Sequence, residues 1–201
     1  ASPKGPLSSA KNYMGATGTS THGYFAGNSN QTIIDRVDYS NDTATASPRG
    51  NLSVGRAYMG ATGAKENGFN QILGPAVVEN ILTQVYPVTS FGYFAGGYVS
   101  TTISSGMTYP LTYIDRINFN NDTATGVQRG SLTVQRDYIG GATGSVNFGY
   151  VGGGSPGPLS SVDRVDYSND TAIAVAKGPL TNTRTYGAAT GNNSFGYFGG
   201  G

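Results

Sequence analysis

The chain has 201 residues, a formal net charge of +1 and 11% charged residues, and Lys and Arg form no run. This balance supplies no sustained field to attract nucleic acid or anionic lipid, so we predict no nucleic-acid partner and no membrane insertion. The absence of cysteine excludes disulfides and thiolate chemistry, while 32 Gly and 14 Tyr favour an all-β fold of short strands and tight turns.

The first phrase of the chain is rich in basic and small residues, and it recurs. Residues 1–18 read ASPKGPLSSAKNYMGATG and residues 46–63 read ASPRGNLSVGRAYMGATG, with later copies over 129–144 and 177–191. In each copy a basic residue and Gly, with Leu two positions beyond, predict a turn pinned by one buried side chain. A strand of small residues then follows an Arg or Lys.

A second phrase, Gly-Tyr-Phe or Gly-Tyr-Val followed by Gly, occurs at 23–27, 92–97, 149–154 and 196–201. It is the most apolar strand of the repeat, and its glycines permit close backbone approach. We expect this strand and the small-residue strand before it to lie at the centre of the fold, with the Gly-Tyr-Phe strands nearest the axis.

The third phrase, DRVDYSNDTA at 35–44, returns unchanged at 163–172 and with small changes at 115–124. Period-two alternation over 34–39 makes neither face wholly apolar, which suits a strand covered on both faces where Arg and Asp can pair. The Ser-Asn-Asp-Thr stretch that follows predicts a turn built on left-handed Asn and Asp, and a short strand from Thr43.

These phrases imply four strands in a unit of 45 to 48 residues, which is the length of a propeller blade. Their order, Arg-x-Tyr, then Gly-Tyr-Phe-x-Gly-Gly, then Asp-Arg-Val-Asp-Tyr, resembles the kelch repeat. The chain departs from that family in lacking Trp; Thr45, Thr125 and Ile173, or their neighbours, stand where kelch repeats usually carry one. The resemblance implies an all-β, kelch-like β-propeller of four-stranded antiparallel blades.

The sequence predicts a single repeat domain over 1–201, with repeats at roughly 1–33, 34–112, 113–161 and 162–201. Two insertions, 64–90 and 98–112, interrupt the regular spacing. Four copies of the first two phrases accompany three copies of the third, so we expect these residues to leave an incomplete ring with an open sheet edge.

The insertion at 64–90 is the predicted binding surface. Its centre is among the most apolar stretches of the chain, yet it lies between two strands of a blade that is complete without it. The candidate contact residues are Ile72, Leu73, Val77, Val78, Ile81, Leu82, Val85 and Tyr86. In the alternative interpretation, the segment folds back as a hairpin that seals the propeller's side or channel.

Most charged residues occupy repeat positions, namely eight of the eleven acidic and eleven of the twelve basic residues. Catalysis requires groups in unlike environments, so we predict no catalytic residue among them and no cofactor. The lone His22, expected in a short loop, has no second His or Cys, and we predict no metal site. The repeated charges are expected to form inter-strand or inter-blade ion pairs, with Arg36, Arg116 and Arg164 paired to Asp35, Asp115 and Asp163.

Two function hypotheses follow. The first is a non-enzymatic binding or assembly module on an extracellular surface or virion, which contacts a protein partner, neighbouring copies or a surface glycan through loops and the 64–90 insertion. A composition poor in Lys and Glu and rich in Gly, Ser, Thr, Asn and Tyr supports that location. The alternative is a carbohydrate-active enzyme, a glycan hydrolase or lyase, with its site in the insertion beside Glu66 or Glu79.

The repeat pattern predicts that Arg116→Met weakens folding and leaves binding specificity unchanged. An Arg on the strand face that meets a neighbouring blade must be paired, and its loss leaves the partner's charge without compensation. Denaturant unfolding of both proteins measures the effect, and a freely solvated Arg116 would contradict the reasoning.

Overall fold

A computed structural model describes residues 2–28, 31–63, 90–100, 108–157 and 159–201, and confirms the all-β prediction. Helix in these ranges is limited to three short 3-10 turns, Tyr39–Asn41, Phe119–Asn121 and Tyr167–Asn169. Within the described ranges, therefore, no helix has the length and apolar character needed to cross a membrane.

The described strands form four antiparallel sheets. Sheet 1 contains β1 (Gly15–Gly18), β2 (His22–Ala26), β3 (Ile33–Asp38) and β4 (Ser47–Asn51). Sheet 2 contains β5 (Gly60–Gly63), β6 (Phe91–Ala95), β7 (Tyr98–Ser100), β8 (Thr108–Asn118) and β9 (Val127–Arg136), with β7 paired to the start of β8. Sheet 3 contains β10 (Gly141–Gly144), β11 (Phe148–Gly152), β12 (Val162–Asp166) and β13 (Val175–Lys177), and sheet 4 contains β14 (Ala188–Gly191) and β15 (Gly196–Gly199).

Consecutive sheets meet along their first strands, β1, β5, β10 and β14, which have the sequence Gly/Ala-Ala-Thr-Gly. Small residues permit this approach, because a Cβ added at Gly60 would lie 3.1 Å from the Cβ of Ala142 in the next sheet. The Gly-Tyr-Phe strands lie second and the Asp-Arg-Val-Asp strands third. We expected the Gly-Tyr-Phe strands to lie nearest the centre of the fold. They lie instead one strand away from the contacts between sheets, so this expectation is wrong.

The turn after each third strand is a 3-10 turn, capped by the last side chain of the strand. Asp38 Oδ1 accepts a hydrogen bond from the Ser40 backbone N–H at 2.8 Å, and Asp42 has φ −75°, in the right-handed region. The predicted turn is confirmed, but its left-handed backbone is not. The next strand of sheet 1 begins at Ser47 rather than at Thr43.

Both faces of the third strands are buried, as the alternation predicts: Ile34 and Asp35 on adjacent positions of β3 are 1% and 0% exposed. Apolar side chains fill the spaces between sheets. One cluster links sheets 1 and 2 and another links sheets 2 and 3. The first contains Tyr24, Ala26, Ile34, Leu52, Met59, Phe94 and Ile117, and the second Tyr93, Ala95, Ile114, Leu132, Ile139, Val151, Val165, Tyr167 and Ala174.

The basic-Gly-x-Leu-Ser/Thr segments, here called staples, connect one sheet to the next. Gly50 of β4 donates its N–H to the Asp122 carbonyl of sheet 2 at 2.6 Å. Gly50 therefore lies in strand β4, whereas the sequence predicted that it lies in a turn. The Leu of the staple is buried as predicted at Leu52 and Leu132, and half-buried at Leu7 and Leu180. The staples are 4–8, 49–53, 129–133 and 177–181.

The staples 4–8, 49–53 and 129–133 each end on a fully buried carboxylate, which is the first Asp of a third phrase. Asp163 accepts bonds from the Thr133 backbone N–H at 2.8 Å and hydroxyl at 2.6 Å, and lies 3.4 Å from Arg136. Asp115 has the same set of donors in Ser53 and Arg56. These aspartates are 0% exposed, so the bonds replace the water that the carboxylates lose on folding.

The repeated arginines form the predicted ion pairs between sheets, but with a different acid. Arg36 Nη1 lies 2.8 Å from Asp122 of sheet 2, and Arg116 Nη1 lies 2.9 Å from Asp170 of sheet 3. The predicted pairing of these arginines with Asp35, Asp115 and Asp163 is wrong. Those acids face the staple side, where the cations are Lys11, Arg56 and Arg136.

We predict that Asp163→Ala lowers the free energy of unfolding by about 3–5 kcal/mol, because it leaves the buried Arg136 guanidinium without a counter-charge. Asp166→Ala is the matched control on the same strand; it removes a cap on Ser168 and is expected to cost about 1 kcal/mol. Urea unfolding measures both, and equal losses would contradict the assignment.

Stability is also expected to fall on acidification. Burial alone would raise the pKa of Asp170, but hydrogen bonds from Arg129 and Tyr93 and the charge of Arg116 outweigh it and hold the pKa below its ordinary value. A carboxyl with a lowered folded-state pKa stabilises the fold above its unfolded pKa of about 3.9, and this contribution is lost as pH falls through the folded value.

The Asp170→Asn variant should therefore be less stable than wild type at pH 7 and lose less stability between about pH 5 and pH 2. Asp42→Asn, at the same repeat position in sheet 1 but bound to an exposed Lys4, is the control with the smaller expected effect. Identical pH profiles for wild type and Asp170→Asn would show that this carboxyl contributes nothing.

Candidate ligand-binding site

One tyrosine in each first phrase has an unusual backbone conformation. Tyr13, Tyr58, Tyr138 and Tyr186 precede the first strands of sheets 1 to 4 and have φ of 54°, 56°, 42° and 54°. A bulky residue in the left-handed region costs about 1–3 kcal/mol, and such residues concentrate at ligand sites. The same strained conformation in all four sheets indicates a shared constraint.

The constraint comes from both sides of the turn. Two residues earlier, Arg136 donates to the Gly153 carbonyl at 2.8 Å, which holds the chain against the end of the Gly-Tyr-Val strand. The tyrosine turns also bond to each other from sheet to sheet: the Tyr58 N–H donates to the Tyr13 carbonyl at 2.9 Å, and the Tyr186 N–H to that of Tyr138 at 3.1 Å. Neighbouring sheets thus hold each turn in place.

The side chains pack into one tyrosine cluster. Ring centroids lie 3.9 Å apart for Tyr13 and Tyr58, 4.1 Å for Tyr58 and Tyr138, and 4.8 Å for Tyr138 and Tyr186. Tyr98, from the second insertion, stacks on Tyr58 at 5.1 Å. Aromatic pairs at these separations contribute about 0.5–1.5 kcal/mol beyond burial, which offsets part of the backbone strain.

The outer members of the cluster remain accessible. Tyr13 and Tyr186 are 49% and 66% exposed. Beside the rings lies a cavity of about 280 Å³ whose walls are the four tyrosine turns and the small residues at the starts of β1, β5, β10 and β14. Among the described residues that line the cavity, none has a charged side chain. The site therefore offers aromatic faces and phenol hydroxyls to a neutral ligand.

The two central phenols of the cluster, Tyr58 and Tyr138, have pKa values above the ordinary value of tyrosine. Burial against the neighbouring rings raises the pKa of Tyr58, with further contributions from Tyr13 and the adjacent phenols. The pKa of Tyr138 is raised for the same reason, with smaller contributions from Tyr186 and Asp137. Chemistry that requires a tyrosinate at neutral pH is not favoured by this arrangement.

The predicted contact residues of the 64–90 insertion, Ile72, Leu73, Val77, Val78, Ile81, Leu82, Val85 and Tyr86, lie outside the described residues, as do Glu66 and Glu79. In the described part of the second insertion, β7 pairs with the start of β8 and places Tyr98 in the tyrosine cluster.

His22 is half-buried at the start of β2, and its Nδ1 lies 2.9 Å from the Thr21 hydroxyl. The expectation that His22 lies in a loop is therefore wrong. In the described ranges no three His, Cys, Asp or Glu side chains are grouped to hold a metal ion.

Sequence reasoning did not single out the tyrosine cluster. The signal was the recurrence of Tyr two positions after Arg or Lys in every first phrase, beside a strand otherwise made of small residues. The sequence pattern does not reveal the left-handed backbone of these tyrosines, which turns their side chains towards one another.

The chain matches no protein-family model and no curated protein sequence. Among solved structures it is similar to one described as "Structure of YjhT", with a TM-score of 0.66 and 9% sequence identity. The similarity covers 93% of this chain and 55% of that chain, so the chain spans just over half of the YjhT structure. At this identity the likeness concerns the fold alone.

Proposed function

We propose that the protein is a non-enzymatic binding module in which sheets 1 to 4 are consecutive blades of a kelch-like β-propeller. The sheets share one strand order, meet along their first strands, and are linked by staples that pass from one to the next. A radial arrangement of such units brings equivalent turns together near the axis. The single observation that carries the binding role is the strained tyrosine cluster.

The ligand that best fits this site is a glycan on an exposed surface. A sugar ring presents an apolar C–H face to an aromatic ring, and its hydroxyls accept from and donate to phenols. The lining has no cation to attract a phosphate or carboxylate and no metal-binding group within the described residues. The composition, poor in Lys and Glu, supports a place on an extracellular surface or virion.

Assembly through the 64–90 insertion belongs to the same proposal as a second contact region. An apolar segment between two strands of a complete sheet offers a surface to a protein partner or a neighbouring copy. Because equivalent blades have short connections there, this contact would be specific to sheet 2.

We predict that a glycan array identifies a neutral oligosaccharide ligand and that Tyr186→Ala weakens its binding about two- to tenfold. Tyr186→Phe keeps the ring and should retain most of the affinity. Tyr39→Ala, at an exposed tyrosine on the 3-10 turn of sheet 1, is the control for a general surface effect. Titration calorimetry measures all four proteins.

An array without a bound glycan, or an equal loss of affinity from Tyr39→Ala, would contradict the glycan site.

The glycans of the same array also test the alternative of a carbohydrate-active enzyme, when the release of reducing ends is followed. Asp137 is the described acid outside the repeat positions; it is 6% exposed, and burial raises its pKa. Turnover abolished by Asp137→Asn, Glu66→Gln or Glu79→Gln would replace the binding module with an enzyme.

A further inference from the structure

Two tyrosine rings from neighbouring sheets are in direct contact at the centre of the tyrosine cluster. Tyr58 precedes β5 of sheet 2 and Tyr138 precedes β10 of sheet 3, and their ring centroids lie 4.1 Å apart with an interplanar angle of 60°. Both residues are half-buried and line the cavity of about 280 Å³, so small molecules in the solvent can reach the rings. Sheets 2 and 3 each have a described sheet on both sides, so the contact lies inside the described structure.

The backbone holds these two rings in a fixed relation. The Ile139 N–H donates to the Tyr58 carbonyl at 3.5 Å, which joins the two tyrosine turns directly. Both tyrosines have left-handed φ, 56° at Tyr58 and 42° at Tyr138, which a flexible segment would relax. Two groups held in contact react at effective concentrations far above those that collisions between molecules provide. The pair is therefore preorganised for a reaction between its rings.

Oxidation can join two phenol rings that are in contact. Each phenol loses one electron and one proton and becomes a phenoxyl radical, whose unpaired electron is shared with the ring carbons next to the hydroxyl-bearing carbon. One such carbon from each ring forms a carbon–carbon bond, and the hydrogen on each carbon then moves to the oxygen, which restores both phenols. The pair loses two electrons and two protons in total. Hydrogen peroxide accepts them and is reduced to two molecules of water.

We propose that Tyr58 and Tyr138 form an oxidative cross-linking site, at which a small one-electron oxidant fed by hydrogen peroxide joins sheets 2 and 3 through a carbon–carbon bond between the two rings. The phenol protons leave to solvent in the cavity. Because the chain contains no cysteine, no disulfide links its sheets. The bond between the tyrosines supplies a covalent link of comparable effect, since it restricts the unfolded chain as a disulfide does.

The angle between the rings distinguishes this pair from the other contacts in the cluster. In the coupled product the rings are bonded edge to edge, and crowding between the two hydroxyls twists them out of one plane. Tyr58 and Tyr138 are already tilted, whereas Tyr13 overlies Tyr58 at 25° and would have to slide before an edge could bond. Tyr138 and Tyr186 are tilted at 47°, but their centroids lie farther apart, at 4.8 Å. Tyr58 and Tyr138 are therefore the closer of these two tilted pairs.

A second tyrosine pair between the same two sheets provides an internal comparison. Tyr93 of sheet 2 and Tyr167 of sheet 3 have ring centroids 4.7 Å apart and an interplanar angle of 13°. They are 1% and 8% exposed, and their hydroxyls are hydrogen-bonded to Asp170 and Thr62. An oxidant in solvent does not reach these rings, and their overlaid faces do not present edges to each other. We expect no cross-link between them.

The test treats the 201-residue chain with a haem peroxidase, hydrogen peroxide and a soluble one-electron mediator, at a protein concentration low enough that molecules rarely meet. We expect dityrosine fluorescence in a species that remains monomeric on a denaturing gel. Trypsin releases Tyr58 within residues 57–65 and Tyr138 within residues 137–164. Mass spectrometry should find these peptides joined and lighter than their sum by two hydrogen atoms. The oxidised protein should also unfold at a higher urea concentration than the untreated protein.

A matched pair of variants locates the bond. Tyr138→Phe keeps the aromatic ring but cannot form a phenoxyl radical, so it should lose the joined peptide. Tyr150→Phe is the control, because Tyr150 lies in the same tryptic peptide but on β11, outside the tyrosine cluster. We expect this variant to give the wild-type yield. Circular dichroism and urea unfolding before oxidation establish that both variants are folded.

Absence of the joined peptide in the wild-type protein, under conditions that oxidise the exposed Tyr39, would overturn the proposal. Equal losses from Tyr138→Phe and Tyr150→Phe would also overturn it, as would a bond between Tyr93 and Tyr167, or between Tyr138 and Tyr186, in place of the expected one. The inference rests on ring contact and not on glycan binding. Because the glycan array uses unoxidised protein, either proposal can fail while the other holds.

Discussion

The structure depends on a carboxylate that is removed completely from water at the first position of each third phrase, namely Asp35, Asp115 and Asp163. An isolated carboxylate in that position would cost several kcal/mol, and at Asp163 the cost is offset by a backbone N–H, a hydroxyl and a guanidinium. Those donors come from the staple that leaves the preceding sheet and from the segment that enters the same sheet. The Asp163 side chain therefore holds together strand β12, the staple that contains Thr133 and the segment that contains Arg136.

The arginine in that arrangement also links the fold to the candidate site. Arg136 binds Asp163 and the Gly153 carbonyl, and two residues later Tyr138 enters its left-handed turn. A strained turn persists only when its surroundings overdetermine it. Here the arginine anchors one side, the small-residue strand anchors the other, and the adjacent tyrosine turn supplies a hydrogen bond. The rings of the tyrosine cluster are consequently preorganised, which reduces the entropy lost on binding a ligand.

A second acid, Asp170, connects one sheet to the next. Asp170 accepts from Tyr93 and Arg116 of the preceding sheet and from Arg129 of the staple, so it joins two sheets and their connection in one network. The arginines are partly exposed, at 24% and 23% for their side chains, and the acid is 4% exposed. Such a pair retains more of its attraction than a surface pair and demands less desolvation than a fully buried one.

The sequence by itself determined the strands, their order in each repeat and the burial of both faces of β3, because these follow from periodicity and repetition along the chain. It also identified the repeated arginines as ion-pair members, since a charge on a covered face requires a partner. It did not determine which acid each arginine meets: Arg116 and Asp170 are separated by 54 residues, and only the packing of two sheets brings them together. The tyrosine cluster was likewise decided by tertiary structure, because left-handed φ at Tyr58 is imposed by contacts between neighbouring sheets and opposes the local preference of the residue.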